Sequence, residues 1–303
     1  MHAFDRRRAA DRRRRRARAS EREPRLNAAP ALEGGAGRGA SARASPPSAR
    51  PSTRPSGDAS AVRRARPLLG TLVEIGVLQS TAKVDLDAAI AAAFDRIAAV
   101  QARLSRFDPG SEIARFNAAA AGAAIEIGTD ARRVLAAARE LCDASDGAFD
   151  VTLGSGIDAW RCDGALLRKL SRTVRIDLGG IGKGYAVDAA VETLARAGVA
   201  SGWVNAGGDL RAFGAATLPI DLRDEDAGGV RRFARLGDGA FATSRCVAAD
   251  GRSRHVSVAA PLCLWADALT KLLVANGDAR HPLLARYGAR AWLHDARRDG
   301  SEH

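Results

Sequence analysis

The sequence predicts one α+β domain, of mixed α/β order, behind a disordered N-terminal tail. Strand-like and helix-like segments follow one another without the strict βα alternation of a doubly wound fold. Residues 67–296 hold enough apolar side chains for a core, whereas residues 1–66 are built mainly from Arg, Ala, Ser, Pro and Gly. We therefore expect a folded domain over 67–296, a disordered tail over 1–66 and a disordered C-terminus over 297–303.

The first elements are predicted from periodicity. Residues 71–78 are rich in β-branched side chains and partly alternating, which is typical of a strand. A helix over 85–104 follows, because its large apolar side chains recur three, four and seven residues apart and form one stripe. A second helix begins at about Thr129, a suitable N-cap residue, and runs through Leu141.

The middle of the domain is organised around glycines. Residues 174–178 are predicted as a strand that ends in the glycine run 179–184 and leads into a helix over 185–197, closed by Gly198. Gly207 and Gly208 then indicate a tight hairpin. The hairpin strands and the last elements are predicted as strands over 202–206, 209–213, 255–260 and 289–293 and a helix over 262–276.

The tail carries the whole net charge. Residues 1–66 contain 18 of the 47 basic residues, all arginines, and 6 of the 35 acidic ones, which accounts for the formal charge of +12. The neutral remainder does not support a domain that binds nucleic acid through its phosphates. Binding of the tail to nucleic acid or an anionic membrane is a separate hypothesis, and a solvated tail is the simpler interpretation.

Neither the start of the chain nor its cysteines indicate export. No apolar segment follows the arginine-rich start, so the sequence as written predicts a cytoplasmic protein without a transmembrane segment; periplasmic export would require a different N-terminus. The four cysteines lack C-x-x-C spacing and are interpreted as free thiols in a reducing compartment: Cys142, Cys162, Cys246 and Cys263.

The glycine run is the most informative local feature. A strand that ends in glycines and opens a helix presents backbone N–H groups and the positive end of the helix dipole, which suits a phosphate. The run is neither a Walker A loop, since Asp177 and Gly184 occupy two of its required positions, nor a G-x-G-x-x-G fingerprint. Glycines that only permit close packing of strand and helix are the alternative.

Three other segments carry candidate chemistry. The polar loop 104–117 offers Phe107 for stacking a planar ring, and the turn 145–150 places a carboxylate beside an aromatic side chain. Asp267 precedes Lys271 by four residues, which suits either a metal-directed carboxylate or an ordinary helical ion pair.

Six segments of the sequence form an ordered set. They are Leu69–Glu74 (LGTLVE), Leu104–Asn117 (LSRFDPGSEIARFN), Asp146–Gly154 (DGAFDVTLG), Ile176–Asp188 (IDLGGIGKGYAVD), Val204–Asp209 (VNAGGD) and Ala266–Leu269 (ADAL). Together they resemble the ApbE family of FAD:protein FMN transferases. One such segment would be a weak sign, whereas six in the family's order over nearly all of 68–295 are specific.

The resemblance implies an ApbE-like domain that uses Mg²⁺, binds FAD as substrate and breaks its pyrophosphate. It implies transfer of FMN to a Thr or Ser hydroxyl of an acceptor protein, with release of AMP, while the neutral charge of the domain predicts no nucleic-acid partner. By position it implies FAD contacts at Leu69, Phe107, Ala148, Phe149, Asp150, Asp177 and Lys183. It further implies metal ligation around the Gly180 carbonyl, Asp267, Thr270 and Lys271, and catalytic roles for Asp267 and Asp250.

Two positions depart from the family pattern. Val247 stands where the family has the histidine of His-Ile-Ile-Asp-Pro-x-Thr-Gly, and Asp250 is a remnant of that segment. Lys271 stands where the family has a threonine hydroxyl. Its ammonium either displaces the metal and contacts the phosphates, or pairs with Asp267 and weakens the metal site. A flavin-binding protein, or an FAD pyrophosphatase that has lost transfer, is therefore the alternative to a transferase.

Overall fold

The computed structural model describes residues 32–34, 62–81, 83–223, 229–247, 253–276 and 278–295. The predicted mixture of helix and strand is confirmed in this part of the chain. The strands are β1 Leu32–Gly34, β2 Val62–Leu68, β3 Thr71–Ser80, β4 Ala124–Glu126, β5 Trp160–Asp163, β6 Leu166–Lys169, β7 Val199–Ala206, β8 Asp209–Phe213, β9 Leu218–Arg223, β10 Val230–Leu236, β11 Gly239–Val247, β12 Ser253–Ala260 and β13 Arg290–Asp295. The helices are α1 Leu86–Leu104, α2 Glu112–Ala118, α3 Thr129–Ala144, α4 Gly182–Arg196, α5 Cys263–Asn276 and α6 Leu283–Arg286.

An antiparallel seven-stranded sheet forms the centre of the fold, in the order β13-β12-β11-β8-β7-β3-β2. Helices α4 and α5 pack against it, and α1 packs on α4. Side chains alternate between the faces, so Val204 lies in the main core while its neighbour Trp203 lies in a second core beside β9 and β10. The start of α4 therefore lies against α5 and the central sheet.

The local signals that predicted the long elements hold at most of their ends. Asp85 caps α1, where its side chain accepts a hydrogen bond from the Ala88 N–H at 3.0 Å. The β7–β8 hairpin turns at Gly207 and Gly208, which both have positive φ angles. Thr129 is not the N-cap of α3 as predicted, because the helix already includes it and Gly128 occupies the cap without a side-chain bond.

The strand predicted over 174–178 is wrong, and one side chain explains why. The amide of Asn117 donates to the Ile176 carbonyl at 2.9 Å and accepts from the Ile176 N–H at 2.7 Å. The next N–H, of Asp177, donates to the Val151 carbonyl at 2.8 Å. These backbone groups thus find partners in a side chain and a turn rather than in a neighbouring strand.

The folded part begins earlier than the composition predicted. Strand β2 pairs with β3 along its whole length, so residues 62–66 belong to the sheet although the sequence assigned them to the tail. The arginines of β2 lie over the domain, since Arg64 pairs with Asp87 at 3.0 Å and Arg66 lies over the Phe94 ring at 4.8 Å. The expectation for 297–303 lies outside the described residues.

The cysteines whose side chains are described, Cys142, Cys162 and Cys263, are free thiols, as predicted. Within the same part of the chain, no helix combines the length and the apolar character needed to cross a bilayer.

Candidate functional site

The glycine run forms a short loop that leads into α4. The Asp177 carboxylate accepts the Gly179 N–H at 2.8 Å, and the Gly182 N–H donates to the Leu178 carbonyl at 2.7 Å. Helix α4 begins at Gly182, and no side chain caps it. The first turn of α4 therefore faces the loop with the positive end of its dipole.

Close packing explains one glycine of the run. A Cβ atom on Gly184 would lie 2.3 Å from the Cys263 carbonyl oxygen and 2.9 Å from the Asp267 Cβ. Only glycine therefore lets α4 and α5 approach this closely. At Gly182 the nearest atom to an added Cβ is 3.7 Å away, so this glycine is not required by packing.

Asp267 is the buried acid at this helix contact. Asp267 is 0% exposed, and one of its carboxylate oxygens accepts the Gly184 N–H at 3.1 Å. The other oxygen accepts the ammonium of Lys271 at 2.9 Å. Both oxygens of Asp267 therefore have partners within the protein.

A closed hydrogen-bond network holds the Lys271 ammonium. Besides Asp267, it donates to the Ser244 hydroxyl at 2.6 Å and to the Thr270 hydroxyl at 3.1 Å. The Thr270 hydroxyl donates to the Asp267 backbone carbonyl at 2.7 Å, so the 2.6 Å bond from Ser244 to Thr270 uses the Ser244 proton. All three N–H groups of the ammonium are thus used by acceptors of this chain.

A second lysine and aspartate pair stands beside the first. Lys183, in the first turn of α4, pairs with Asp209 at the start of β8. Burial and the nearby charge of Asp267 raise the pKa of the Asp209 carboxyl to about 6, against the opposing effect of Lys183. No role was predicted for Asp209 from the sequence, although Asp209 directly follows Gly207-Gly208 in a family segment.

An exposed aromatic ring is linked to the loop through an arginine. Arg106 binds the second oxygen of Asp177 at 2.9 Å, and its guanidinium lies 4.1 Å from the centroid of the Phe107 ring. Phe107 is 78% exposed. The structure therefore connects Phe107 to the loop through Arg106, which the sequence analysis did not single out.

The turn after α3 is joined to the loop through its backbone. Asp150 holds this turn, accepting the Thr152 N–H at 2.8 Å, the Thr152 hydroxyl at 2.7 Å and the Gly154 N–H at 3.0 Å. Ala148 is exposed, whereas Phe149 is 5% exposed and packs in the main core. The Phe149 side chain is therefore a core residue in this arrangement.

The two remaining candidates differ in how much the structure says of them. Leu69 is half-buried in the β2–β3 turn with a φ of 56°, and its N–H donates to the Gln101 side chain at 2.6 Å. Asp250 lies outside the described residues. The described candidates around the start of α4 form one group: Asp177, Gly180, Lys183, Asp267, Thr270 and Lys271.

The side chains around Asp267 do not fit Mg²⁺ as they stand. Mg²⁺ needs oxygen lone pairs in near-octahedral arrangement, and an ammonium offers a positive charge and no lone pair. The oxygens of Asp267 are already acceptors, and Lys271 fills the space next to them. Among the residues that the structure describes, no group of three or more His, Cys, Asp or Glu side chains is arranged to hold a metal ion.

Comparison with known proteins decides the family. The ApbE family model matches residues 69–169 and 162–248, which together cover more than half of the chain. The chain belongs to the ApbE family. The predicted resemblance is thereby confirmed.

Solved ApbE structures share the fold. An ApbE protein from Thermotoga maritima superposes with a TM-score of 0.68 at 23% identity, covering 78% of this chain and 94% of that one. The flavin transferase ApbE from Vibrio cholerae gives a TM-score of 0.69 at 21% identity, covering 80% of this chain and 95% of that one. Likeness at this identity supports the shared fold.

Two curated relatives of this ApbE family chain are named FAD:protein FMN transferase. The one from Haemophilus influenzae is 29% identical over 149 residues, which is 38% of this chain and 43% of that protein. The one from Rhodobacter capsulatus is 29% identical over 181 residues, 48% of this chain and 34% of that protein. The chain thus spans less than half the length of these relatives.

Proposed function

We propose that this ApbE family protein is an FAD:protein FMN transferase, which passes FMN from FAD to a Thr or Ser hydroxyl of an acceptor protein and releases AMP. The observation that carries the proposal is the group at the start of α4. There a glycine loop and an uncapped helix end meet two lysines that are about one-third exposed, Lys183 and Lys271. Backbone N–H groups and fixed cations suit the diphosphate of FAD. The names of the relatives support the same reaction.

The transfer breaks one bond and forms one. The bond between the FMN phosphorus and the oxygen that bridges to AMP breaks, and the acceptor hydroxyl oxygen forms the new bond to that phosphorus. The bridging oxygen leaves with AMP, and the hydroxyl proton passes to solvent. The positive charges of Lys183 and Lys271 would stabilise the negative charge that develops on the departing oxygen.

The ring system of FAD would lie beside Phe107. Phe107 is exposed and held next to Arg106, so its ring is free to stack on the isoalloxazine. Asp177 and Asp150 fix the loop and the adjoining turn through their own hydrogen bonds. In this proposal they position the pocket, and Leu69 and Ala148 contribute contacts at its edges.

No step of the proposed transfer uses the magnesium ion that the resemblance implies. Asp267, Thr270 and Lys271 already bind one another, so the positive charge beside the diphosphate comes from the chain itself. The catalytic role expected of Asp267 becomes that of anchoring Lys271 and the Gly184 N–H.

Mass spectrometry of an acceptor protein tests the proposal. The protein is incubated with FAD and a flavinylation-motif acceptor, with EDTA or with Mg²⁺, beside the same acceptor with its reactive Thr changed to Val. We expect the threonine acceptor alone to gain the mass of one FMN less water, with AMP in equal amount. Absence of the adduct under both metal conditions would contradict transfer.

The alternative of a binding protein or an FAD pyrophosphatase has one observation in its favour. Val247 replaces the histidine of the family segment and has no group able to transfer a proton. Release of AMP and free FMN without acceptor labelling would favour hydrolysis. FAD that stays bound and unchanged would favour plain binding.

A separate experiment tests whether the arginine-rich tail binds nucleic acid or an anionic membrane. Deletion of residues 1–60 would abolish a salt-sensitive interaction with DNA or anionic vesicles if the tail carried the function. We expect the deletion to leave FAD binding unchanged.

A further inference from the structure

Two lysines beside the glycine loop share one arrangement. Asp267 is fully buried while the Lys271 side chain is 36% exposed, and Asp209 is 3% exposed while the Lys183 side chain is 34% exposed. Each carboxylate is thus enclosed, whereas each lysine side chain keeps about one-third of its surface exposed. The face that this cluster presents to a ligand is therefore positive, although its four charges sum to zero.

Lys271 lies against the loop itself. A Cβ atom on Gly180 would be 3.0 Å from the Lys271 Cγ and 3.8 Å from its Cε, so the stem of the lysine runs along the Gly180 backbone. Three acceptors then fix the ammonium at the end of that stem. A charge held this way needs no further ordering when a ligand binds.

The same network closes the position to a divalent cation. Magnesium binds carboxylate oxygens at about 2.0–2.1 Å. The Asp267 oxygen that faces the network already accepts the Lys271 ammonium at 2.9 Å. A divalent ion on this oxygen would therefore meet a like charge at close range, and its entry requires the lysine to leave.

We infer that Lys271 takes the place of a divalent cation in this chain, its ammonium being the fixed positive charge beside the FAD diphosphate. The inference rests on the proposed function for the ligand and departs from the metal that the family resemblance implies. FAD binding then does not depend on Mg²⁺. Replacing Lys271 by the shorter threonine frees the Asp267 carboxylate, supplies a hydroxyl and makes binding depend on the metal.

Flavin fluorescence measures FAD affinity for the wild type and Lys271→Thr, each in EDTA and in Mg²⁺. The wild type is expected to bind equally well in both. Lys271→Thr is expected to lose about tenfold in EDTA, the effect of removing one nearby fixed charge, and to regain most of it with Mg²⁺. A wild-type affinity that rises steeply with Mg²⁺ overturns the inference.

Two further variants separate charge from packing. Lys271→Met keeps the stem along Gly180 but has neither charge nor oxygen, so it is expected to lose FAD affinity that Mg²⁺ does not restore. Lys83→Thr makes the same charge change at an exposed position beyond the opposite end of α4, and its affinity should match the wild type. Wild-type affinity in Lys271→Met also overturns the inference.

Electron paramagnetic resonance of Mn²⁺ provides a readout without FAD. The wild type is expected to leave Mn²⁺ free, and Lys271→Thr to gain one bound ion. A tightly bound ion in the wild type that Asp267→Asn removes contradicts the inference. Circular dichroism of each variant checks that it is folded.

The outcomes also distinguish this inference from the transferase proposal. Metal-independent FAD binding with no labelled acceptor supports the role of Lys271 and rejects transfer. A labelled acceptor together with FAD binding that requires Mg²⁺ supports transfer and rejects the role of Lys271.

Discussion

Two of the charged contacts that helix α4 makes with its neighbours differ in their access to solvent. At its start, the Lys271 and Lys183 side chains remain about one-third exposed in front of buried carboxylates. One turn further on, Asp188 binds Arg211 at 2.8 Å and the N–H groups of Cys263 and Leu264 at 2.9 and 2.8 Å. Arg211 is itself only 17% exposed.

The difference indicates which charges serve the fold and which are available to a ligand. Burial raises the pKa of Asp188, but three donors hold the buried carboxylate. Such an enclosed contact fixes the start of α5 to α4. At the start of α4 the carboxylates are buried and the lysine side chains are about one-third exposed. Of the two contacts, this one therefore presents cationic side chains to an anionic ligand.

Breaking the enclosed contact should have the largest effect. Asp188→Ala leaves the Arg211 charge and two N–H groups of α5 without their acceptor, so we expect a loss of about 3–5 kcal/mol in the free energy of unfolding. Urea denaturation measures it. Glu192→Ala is the control on the same helix, since its partner Arg196 is 3.5 Å away and both are exposed, and it should cost under about 1 kcal/mol. Equal losses in the two variants would contradict the assignment.

Substitution of a glycine at the open contact should have the next largest effect. Gly184→Ala forces a Cβ to within 2.3 Å of the Cys263 carbonyl, so we expect a cost of about 1–3 kcal/mol and weaker FAD binding as Asp267 moves. Gly182→Ala, two residues earlier, meets only an ordinary contact at 3.7 Å and should be nearly neutral in stability. Thermal unfolding and FAD titration of both variants check this. Loss of stability in Gly182→Ala alone would reverse the interpretation.

Removal of the exposed ring should change binding without changing the fold. Phe107→Ala deletes a side chain that is 78% exposed, so stability should stay within about 0.5 kcal/mol. FAD affinity should fall about tenfold through the loss of stacking. Val230→Ala, at 70% exposure on β10, is the control and should change neither quantity. An unchanged FAD affinity in Phe107→Ala would place the flavin elsewhere.

The titration of Asp209 should make the stability of the protein change gradually with pH. The pKa of Asp209 rises from 3.8 to about 6 on folding, so the folded state holds a proton that the unfolded state releases between these values. Stability from this group is therefore present below about pH 4 and is lost as pH rises towards 6. Asp209→Asn should flatten this part of the profile in urea denaturation series. An identical slope in the variant would show that another group is responsible.

Local patterns predicted several long elements and the family segments, whereas β9, β10 and β11 were not predicted. The stripe of α1 and the two glycines of the β7–β8 turn act over a few residues, and the structure has them where the sequence placed them. The small β4–β5–β6 sheet was not predicted, because its strands are only three or four residues long. Such short strands lack a recognisable period.

Partners distant in sequence were beyond prediction. The ion pair of Asp267 and Lys271 lies within one helical turn and was one of two open alternatives, whereas Ser244 joins it from 27 residues away. Arg106 reaches Asp177 only because the fold brings two loops together. Nothing in the local sequence distinguished these residues from ordinary surface groups.

The bond between Asn117 and Ile176 has a consequence for how sequences of this fold diverge. The side chain at 117 must supply a donor and an acceptor in one plane. The backbone N–H and carbonyl at 176 can make the matching bonds whatever side chain that residue carries. Relatives that share this loop should therefore keep the amide at 117, whereas Ile176 is free to vary among apolar types. An alignment would show residue 117 as invariant in the manner of a catalytic group, although its constancy originates in the architecture of a loop.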